Sequence, residues 1–453
     1  MDASNNIADF AASLRWAAID SSAQQSAALF FHDSLCVGIA GAKAPLADSV
    51  LCAARGWSGN GGECSVLGRG ERLPPAEAAF VNAFQIHAQE YDCVHEPAVV
   101  HPLATVLAAL LSELGRGEKR SGERLLTAVT VGVQVAVALG LAATTPLRFF
   151  RPATAGIFGS VAAIGALREL DRLTIRNALG IALAFTSGTM QAHVEGKPTL
   201  PLQIAQAARS AVQAVDLAIA GFPGPMNAIE GPFGYLSLFE ENYDPARLRA
   251  GLRDGYRIAE VSWKPFPSGR ASHGGIVAVQ GLRAQGLVAH ELKTLTYRAP
   301  SLIERLVGRP AMPDMTPAYA RLCFAWLAAV SLTRGTVSLG DFTPESLSDP
   351  ALLVIAAKVH IEIDDNTDPA AFVPATAVAI CTSGSELREV VAAQLGSPAL
   401  PLSHDQHLAK ARGCLAFAGM EEDHEALAAL VDALPDTADV AGALNAILRR
   451  PTR

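Results

Sequence analysis

The feature that most constrains the fold is a series of apolar segments of helix length in the first 256 residues. Several of them are hydrophobic on nearly every side, which is typical of central helices in a large bundle. We therefore predict a large all-helical domain built from the segments 24–43, 76–92, 102–115, 123–143, 155–168, 174–190 and 203–220.

One of these segments could also be a membrane span, because Leu125 to Ala143 carries no charge and is long enough to cross a bilayer. Its residues are mostly Ala and Val, and Thr127, Thr130 and Gln134 interrupt it. A segment of this composition is only weakly favoured on membrane-insertion scales. We predict a buried core helix and no association with a membrane.

The pattern changes after Gly255. Short segments that are rich in β-branched residues and bounded by Pro, Gly, Asp or Asn predict strands at 257–263, 291–298, 358–364 and 376–382. Helical windows lie between and after them, at 272–285, 316–333, 384–395, 410–418, 422–433 and 438–449. The expected organisation is mainly α, with an all-helical domain, a smaller α+β domain and C-terminal helices that return to the first domain, over residues 1–256, 257–404 and 405–453.

The composition excludes several classes of protein. Half of the 453 residues are apolar and 18% are charged, so the chain can bury a large core and is not of the disordered type. The net charge is −8 and no window is rich in Lys or Arg, which argues against a nucleic-acid partner.

The seven cysteines are scattered and contain no CxxC pair, so we expect neither a disulfide framework nor an iron–sulfur cluster. The first ten residues carry acids and lack the basic and apolar regions of a signal peptide. These features predict reduced thiols and a cytoplasmic protein.

The densest group of titratable side chains lies within residues 81–102 and consists of His87, Glu90, Asp92, His95, Glu96 and His101. A carboxylate beside several histidines suits general acid–base catalysis, because neighbouring charges move pKa values toward neutrality. Two alternatives stay open. The histidines could complement the dipole of a helix C-terminus, or they could bind zinc, although the HExxH spacing is missing.

A second polar group lies within residues 261–275 and consists of Lys264, Arg270 and His273. A helix N-terminus with nearby cations binds anions readily, and an arginine can hold a carboxylate through two hydrogen bonds. Arg151, before a glycine-containing helix, and Lys197, in a proline-constrained loop, are further candidate cations. The alternative for each is an ordinary solvated basic residue.

Five motifs, in order along residues 75–280, resemble those of the MmgE/PrpD family. They are AAFVNAFQIHAQEYD with the following HP, GVQVAVALG, RPATAGIFG, GFPGP with EGPFGY, and KPFPSGRASH. The resemblance implies a large all-helical domain closed by the C-terminal segment, with a smaller α+β lid domain. It also implies a homodimer that needs no metal or other cofactor. The family includes 2-methylcitrate dehydratase, cis-aconitate decarboxylase and iminodisuccinate epimerase.

The resemblance also implies site residues. By position in the motifs, His101, Lys264 and His273 match family residues, and Glu90 stands where the family has an aspartate. The residues expected to be catalytic are therefore His101, Lys264, Glu90 and His273. The residues expected to bind the substrate are Arg151, Lys197, Arg270, His95, His87 and Asp92.

The sequence departs from the family pattern at several of these positions. Cys93 replaces an acidic residue, and Val94 replaces a threonine that contacts the substrate. Arg151 stands where a histidine is usual, and Leu200 aligns with a lysine for which Lys197 is a possible substitute. A lost hydroxyl group, a lost cation and a gained arginine predict a substrate whose carboxylates are arranged differently from those of 2-methylcitrate.

The family's shared chemistry is removal of a weakly acidic C–H proton beside a carboxylate, which preorganised cations promote by stabilising the developing dianion. We expect His101 to exchange this proton, with Glu90 or His273 as the complementary acid or base. The favoured reaction is that of a cofactor-free hydro-lyase acting on a small di- or tricarboxylate. The alternatives are an epimerase or isomerase of an iminodisuccinate-like dicarboxylate, a cis-aconitate-type decarboxylase, and a non-enzymatic carboxylate-binding or scaffold protein.

Overall fold

The computed structural model describes residues 3–59, 61–368 and 371–448. Helix accounts for 59% of the chain and strand for 9%, so the predicted mainly-α class is confirmed. The helical region before residue 257, called the first region below, contains among its described residues a small hairpin in which Cys64–Ser65 pairs antiparallel with Arg72–Leu73. Its described helices are Ala3–Ser13, Ser21–Gly41, Ala47–Ser58, Pro75–His87, Pro102–Leu114, Gly122–Ala142, Arg151–Thr154, Gly156–Leu167, Arg172–Phe185, Gln191–Glu195, Thr199–Ile219, Tyr235–Phe239 and Pro245–Arg253.

The helix Gly122–Ala142 is long and apolar enough to cross a membrane by length and composition alone. It lies inside the bundle, where 94% of its most apolar stretch is buried, so the prediction of a core helix is confirmed. Glycine permits the close packing, since a Cβ on Gly159 would lie 2.6 Å from the carbonyl oxygen of Gly132. The helix Gly156–Leu167 can therefore pack directly against the backbone of its neighbour.

The C-terminal helices His404–Ala418, His424–Asp432 and Val440–Leu448 pack on the first region. Leu415 and Leu427 are fully buried and belong to the same hydrophobic cluster as the core of the first bundle. The division of the chain at residues 256 and 404 stays a prediction.

A second hydrophobic cluster extends from Phe266 to Val391 and surrounds a four-stranded sheet. The first two strands in the sheet are parallel and the other neighbours are antiparallel, in the order Val359–Ile363, Leu292–Ala299, Ala375–Cys381 and Glu386–Val391. The described helices of this region are His273–Ala284, Ser301–Val307, Pro317–Ala320, Phe324–Arg334, Pro344–Leu347 and Pro350–Ala356. The α+β character is as predicted, and its action as a lid stays a prediction.

Two of the predicted elements are wrong. The segment 257–263 is not a strand but begins with a short 3-10 helix, Arg257–Glu260, and Ser262 then exchanges two backbone hydrogen bonds with Val94. The segment 384–395 is not a helix, because Glu386–Val391 is the edge strand of the sheet. Its side chains alternate between more and less exposed positions, and that period of two is the strand signal that helix propensity concealed.

Candidate active site

The two predicted polar groups meet because the backbone joins the segments that carry them. The helix Pro75–His87 ends in a loop that runs to Pro102, where the next helix begins with proline at its first position. His95 and Val100 exchange backbone hydrogen bonds, which tightens this loop. The loop then pairs with the segment before Lys264 through Val94 and Ser262.

The Asp92 carboxylate is the centre of the site. It is completely buried, and its Oδ2 atom lies 3.0 Å from Nδ1 of His87 and 3.0 Å from Nδ1 of His101. An ionised carboxylate only accepts hydrogen bonds, so both Nδ1 atoms donate. Each imidazole therefore keeps its Nε2 atom for a proton-transfer partner.

The pKa values of the two histidines are shifted in opposite directions. Burial alone would lower the pKa of His87, but the charges of Asp92 and Glu90 and the Asp92 hydrogen bond outweigh it, so this pKa is raised. Burial lowers the pKa of His101, and the charges of Lys264 and His87 act in the same direction. At neutral pH, His87 is thus the better proton donor and His101 the better acceptor, an arrangement that assigns acid and base.

The carboxylates near these histidines stay ionised. Burial opposes ionisation of Glu90, but Lys264, His87 and His101 lower its pKa to about 2. The same three residues hold the pKa of Asp92 well below its usual range despite burial. Glu90 is therefore a poor proton carrier at neutral pH, whereas the raised pKa of His87 makes that imidazole able to donate a proton.

Lys264 lies behind this group and is fully buried. Its Nζ atom is 2.7 Å from Oε2 of Glu90 and 3.8 Å from Oδ1 of Asp92. Two carboxylates on one ammonium group compensate the cost of burying it. Lys264 thus contacts the site through Glu90 and Asp92, and its expected catalytic role stays a prediction.

Two adjoining cavities, of about 260 Å³ and 80 Å³, open on this group. His87, Glu90, Leu200 and Leu322 line both of them. We call the first the large lobe and the second the small lobe. The other polar or charged residues of the large lobe are Lys197, Thr316 and Arg321, and those of the small lobe are Glu96, His101, His193 and Arg270.

Arg270 reaches the small lobe with one group still unpaired. Its Nε atom donates to Glu96 at 2.7 Å, and its Nη1 atom donates to the carbonyl groups of Trp263 and Leu395. Its buried Nη2 atom has no partner among the described residues. This arrangement agrees with the expected role of Arg270 in binding a carboxylate.

His273 was expected to be catalytic, but it lies behind Arg270 and does not line either lobe. Its Nε2 atom donates to the carbonyl of Ser268 at 3.1 Å, and Nη1 of Arg270 lies 3.3 Å from its Nδ1 atom. Burial and the charges of Arg270 and Lys264 hold its pKa well below the usual range. The neutral ring contacts Arg270, and the expected catalytic role of His273 stays a prediction.

Arg151 and His95 were expected to bind the substrate, but both are engaged inside the protein. Arg151 makes two hydrogen bonds to the Glu240 carboxylate, at 2.9 and 3.0 Å, and a third to the carbonyl of Ala98. His95 accepts from the Ala98 backbone N–H and pairs with Glu260 at 3.2 Å. Neither residue lines a lobe, and together they hold Ala98, hence the site loop, from both sides.

Sequence reasoning missed two ionisable residues that line the lobes, Arg321 and His193. Arg321 is a single charge at the start of an apolar helical stretch, and that isolation was its only signal. His193 lines the small lobe, where burial and the charge of Arg309 lower its pKa to about 4.

A buried ion pair between Lys410 and Asp33 lies against the loop that carries Glu90 and Asp92. Nζ of Lys410 lies 2.7 Å from Asp33 and donates to the carbonyl of Tyr91 at 2.9 Å. Tyr91 stands between Glu90 and Asp92, so the C-terminal helix fixes the backbone that carries both carboxylates.

His87, Asp92 and His101 could also be metal ligands, since one donor atom from each lies within 4.8 Å of the others. Two imidazoles and a carboxylate suit zinc. However, both Nδ1 atoms already bond the same carboxylate oxygen, and Lys264 adds a positive charge 3.8 Å from Asp92. These features favour hydrogen bonding over a bound cation, and we assign no metal.

Cations and paired histidines around a cavity in a mainly helical fold define an acid–base site for an anionic substrate. The MmgE/PrpD N-terminal domain matches residues 5–248, and the MmgE/PrpD C-terminal domain matches residues 266–436. The chain therefore belongs to the MmgE/PrpD family, as its motifs indicated.

Three relatives of known name are similar to this chain. The chain is 30% identical to the cis-aconitate decarboxylase of Homo sapiens over 314 residues, which are 66% of this chain and 63% of that protein. It is 30% identical to the cis-aconitate decarboxylase of Mus musculus over 354 residues, 74% of this chain and 71% of that one. The cis-aconitate decarboxylase-like protein oryM of Aspergillus oryzae is 26% identical over 389 residues, 80% of either chain. Family and relatives together point to a carboxylate lyase.

Proposed function

We propose that the protein is a cofactor-free lyase that decarboxylates an unsaturated polycarboxylate of the cis-aconitate type. The observation that carries the proposal is the His87–Asp92–His101 group, whose two imidazoles have pKa values moved apart beside one cavity. The names of the relatives favour decarboxylation over the hydro-lyase reaction that the sequence motifs alone favoured.

The proposed reaction needs one proton carrier. In cis-aconitate the CH2-bound carboxylate leaves as CO2, and its electron pair forms a new C=C bond to the central carbon. The electrons of the original C=C bond then move to the CH carbon, which bears another carboxylate. That carbon takes one proton, which gives itaconate and balances the reaction. His87, the imidazole with the raised pKa, is the proposed donor, and His101 would relay its replacement from solvent.

The cations of the lobes have two roles. Arg270 has an unpaired Nη2 atom in the small lobe, and Lys197 lines the large lobe. They would hold the carboxylates that remain and stabilise the charge that develops on them. Lys264 keeps Glu90 and Asp92 ionised, which in turn keeps His87 protonated.

The hydro-lyase is the second candidate, because the site offers both an acid and a base. His101 would remove the C–H proton and His87 would protonate the leaving hydroxyl group. An epimerase is less favoured. It needs proton carriers on opposite faces of one carbon, whereas the rings of His87 and His101 lie 4.8 Å apart on the same carboxylate.

Proton NMR in D2O distinguishes the candidates. Chelator-treated protein would be incubated with cis-aconitate, 2-methylcitrate, citrate and iminodisuccinate. A decarboxylase yields itaconate with one deuterium at the carbon that was protonated, and a hydro-lyase consumes 2-methylcitrate or citrate. Exchange without net product from iminodisuccinate would indicate the epimerase. Loss of activity with the chelator, restored by added metal, would overturn the cofactor-free proposal.

Binding without turnover of any substrate would favour the carboxylate-binding or scaffold alternative. The homodimer and the cytoplasmic location likewise stay proposals that rest on the family resemblance and on the sequence. Light scattering of the purified protein tests the first, and cell fractionation tests the second.

A further inference from the structure

Arg321 is a buried cation without a carboxylate partner among the described residues. Only 2% of its surface is exposed. Its Nη1 atom donates to the carbonyl groups of Gln89, at 2.9 Å, and Pro267, at 2.7 Å. The guanidinium carbon lies 3.8 Å from the centre of the Phe342 ring. These contacts fix the plane of the group and satisfy one of its nitrogens.

The other two nitrogens have no hydrogen-bond acceptor among the residues that the structure describes. None of the described residues accepts a hydrogen bond from Nε or Nη2, and Arg321 lines the large lobe. Burial lowers the pKa of Arg321 to about 9 although the charge of Glu90 opposes this, so the group is still a cation at neutral pH. Glu90 does not neutralise it, because that carboxylate is bound by Lys264 at 2.7 Å.

A buried charge without a partner is costly, and an arginine edge with two donors fits a carboxylate through two parallel hydrogen bonds. Apolar side chains form most of the surrounding wall, namely Pro45, Leu46, Phe84, Ala88, Leu200, Pro201, Pro317 and Leu322. A ligand group in this lobe therefore meets carbon on most sides, and the cations that line the lobe are Arg321 and Lys197.

We propose that Arg321 binds one carboxylate of the substrate through Nε and Nη2, and thereby selects polycarboxylates with a carboxylate at the end of an aliphatic segment in the large lobe. The inference rests on the proposed function, since it places the non-reacting part of the same substrate. It makes Arg321 a specificity-determining residue that is distinct from the histidines proposed to transfer the proton.

The test measures binding and does not depend on turnover. Tricarballylate, glutarate and butyrate carry three, two and one carboxylate on related carbon chains, and they lack the double bond or hydroxyl group that the proposed reactions require. Isothermal titration calorimetry with each acid would compare the wild type with Arg321→Met. We expect the variant to bind tricarballylate about 10- to 100-fold more weakly, the range for lost charged hydrogen bonds. Each acid in this series has one carboxylate fewer than the acid before it. For Arg321→Met, one of these two losses should leave the affinity unchanged.

Two further variants keep the test decisive. Arg321→Lys retains a charge that can still bond the two carbonyl groups, and it should give intermediate affinity if Arg321→Met is unstable. Arg253→Met makes the same chemical change at an exposed position and should leave the affinity unchanged.

Equal affinity of wild type and Arg321→Met for all three acids would overturn the inference, and so would a wild type that binds none of them. A wild type that binds tricarballylate in the expected pattern but converts no substrate would overturn the proposed function and leave the role of Arg321 intact.

Discussion

Replacing Asp92 with Asn tests the paired histidines most directly. The Asp92 carboxylate accepts hydrogen bonds from Nδ1 of His87 and of His101, each at 3.0 Å. Asn keeps the shape of the side chain but removes the charge and half of the accepting capacity. The pKa of His87 is raised only because the nearby carboxylates outweigh its burial. Without Asp92, burial prevails and the pKa of His87 falls.

The magnitude follows from the loss of the acid. A correctly placed general acid contributes about 100- to 10,000-fold to a rate, so we expect kcat to fall about 1,000-fold. The fold should survive, because Lys264 keeps Glu90 as a partner at 2.7 Å and no buried ammonium group is left without a carboxylate. The free energy of unfolding should therefore fall by less than the 3–5 kcal/mol, roughly, that is typical of a broken buried ion pair.

The assay is the pH dependence of kcat, with urea unfolding of the same samples. In the wild type the alkaline limb should lie above 6.5, the ordinary value for histidine, because the pKa of His87 is raised. In Asp92→Asn this limb should move below that value. An alkaline limb that stays in place, or a kcat that falls less than about tenfold, would refute the assignment of His87 as the acid.

Three further predictions concern buried ionisable groups. His101→Gln should lower kcat at least about 100-fold with little change in Tm, because its side chain is 13% exposed at the edge of the cavity; turnover at the wild-type rate would remove His101 from the mechanism. Burial lowers the pKa of His32 and of His407 from 6.5 to about 4. As pH falls from 6.5 to about 4, the unfolded chain takes up protons before the folded chain does, and the free energy of unfolding should fall by on the order of 3 kcal/mol for this hydrogen-bonded pair. Urea unfolding at several pH values in this range should show that the free energy of unfolding depends less steeply on pH in His407→Gln than in the wild type. A wild-type free energy of unfolding that does not change with pH would contradict the reasoning. Lys410→Met leaves the buried Asp33 without its cation and should cost about 3–5 kcal/mol in urea unfolding. The double variant with Asp33→Asn should recover part of that loss, and equal stability of single and double variants would count against the pair.

The sequence was sufficient for most of the helical bundle because its apolar windows are long and its caps are local. Asp244 and Asp349 both cap helices that begin with proline, as their sequence positions indicate. The strand Glu386–Val391 was missed because Glu, Leu and Arg favour helices. Its pairing with Ala375–Cys381 decides its conformation, and such pairing cannot be seen within the segment itself.

The site was predictable in outline but not in its roles. Clusters of titratable residues identified the loop that carries His87, Asp92 and His101, since local density marks a site without further information. The partner of Arg151 is Glu240, 89 residues further along the chain, and only the fold reveals that this arginine is neutralised. Arg321 shows the converse, since only the fold reveals that its charge has no partner among the described residues.

The contact between Lys410 and the carbonyl of Tyr91 joins residues 319 positions apart. A ribosome adds about 5–20 residues per second from the N-terminus. The loop that carries Glu90 and Asp92 can therefore gain its hydrogen bond from Lys410 only after the α+β region has been synthesised. Every residue that lines the two lobes precedes His404. A nascent chain that ends before that helix thus holds every residue that lines the two lobes but lacks the contacts of Lys410 with Asp33 and with the carbonyl of Tyr91.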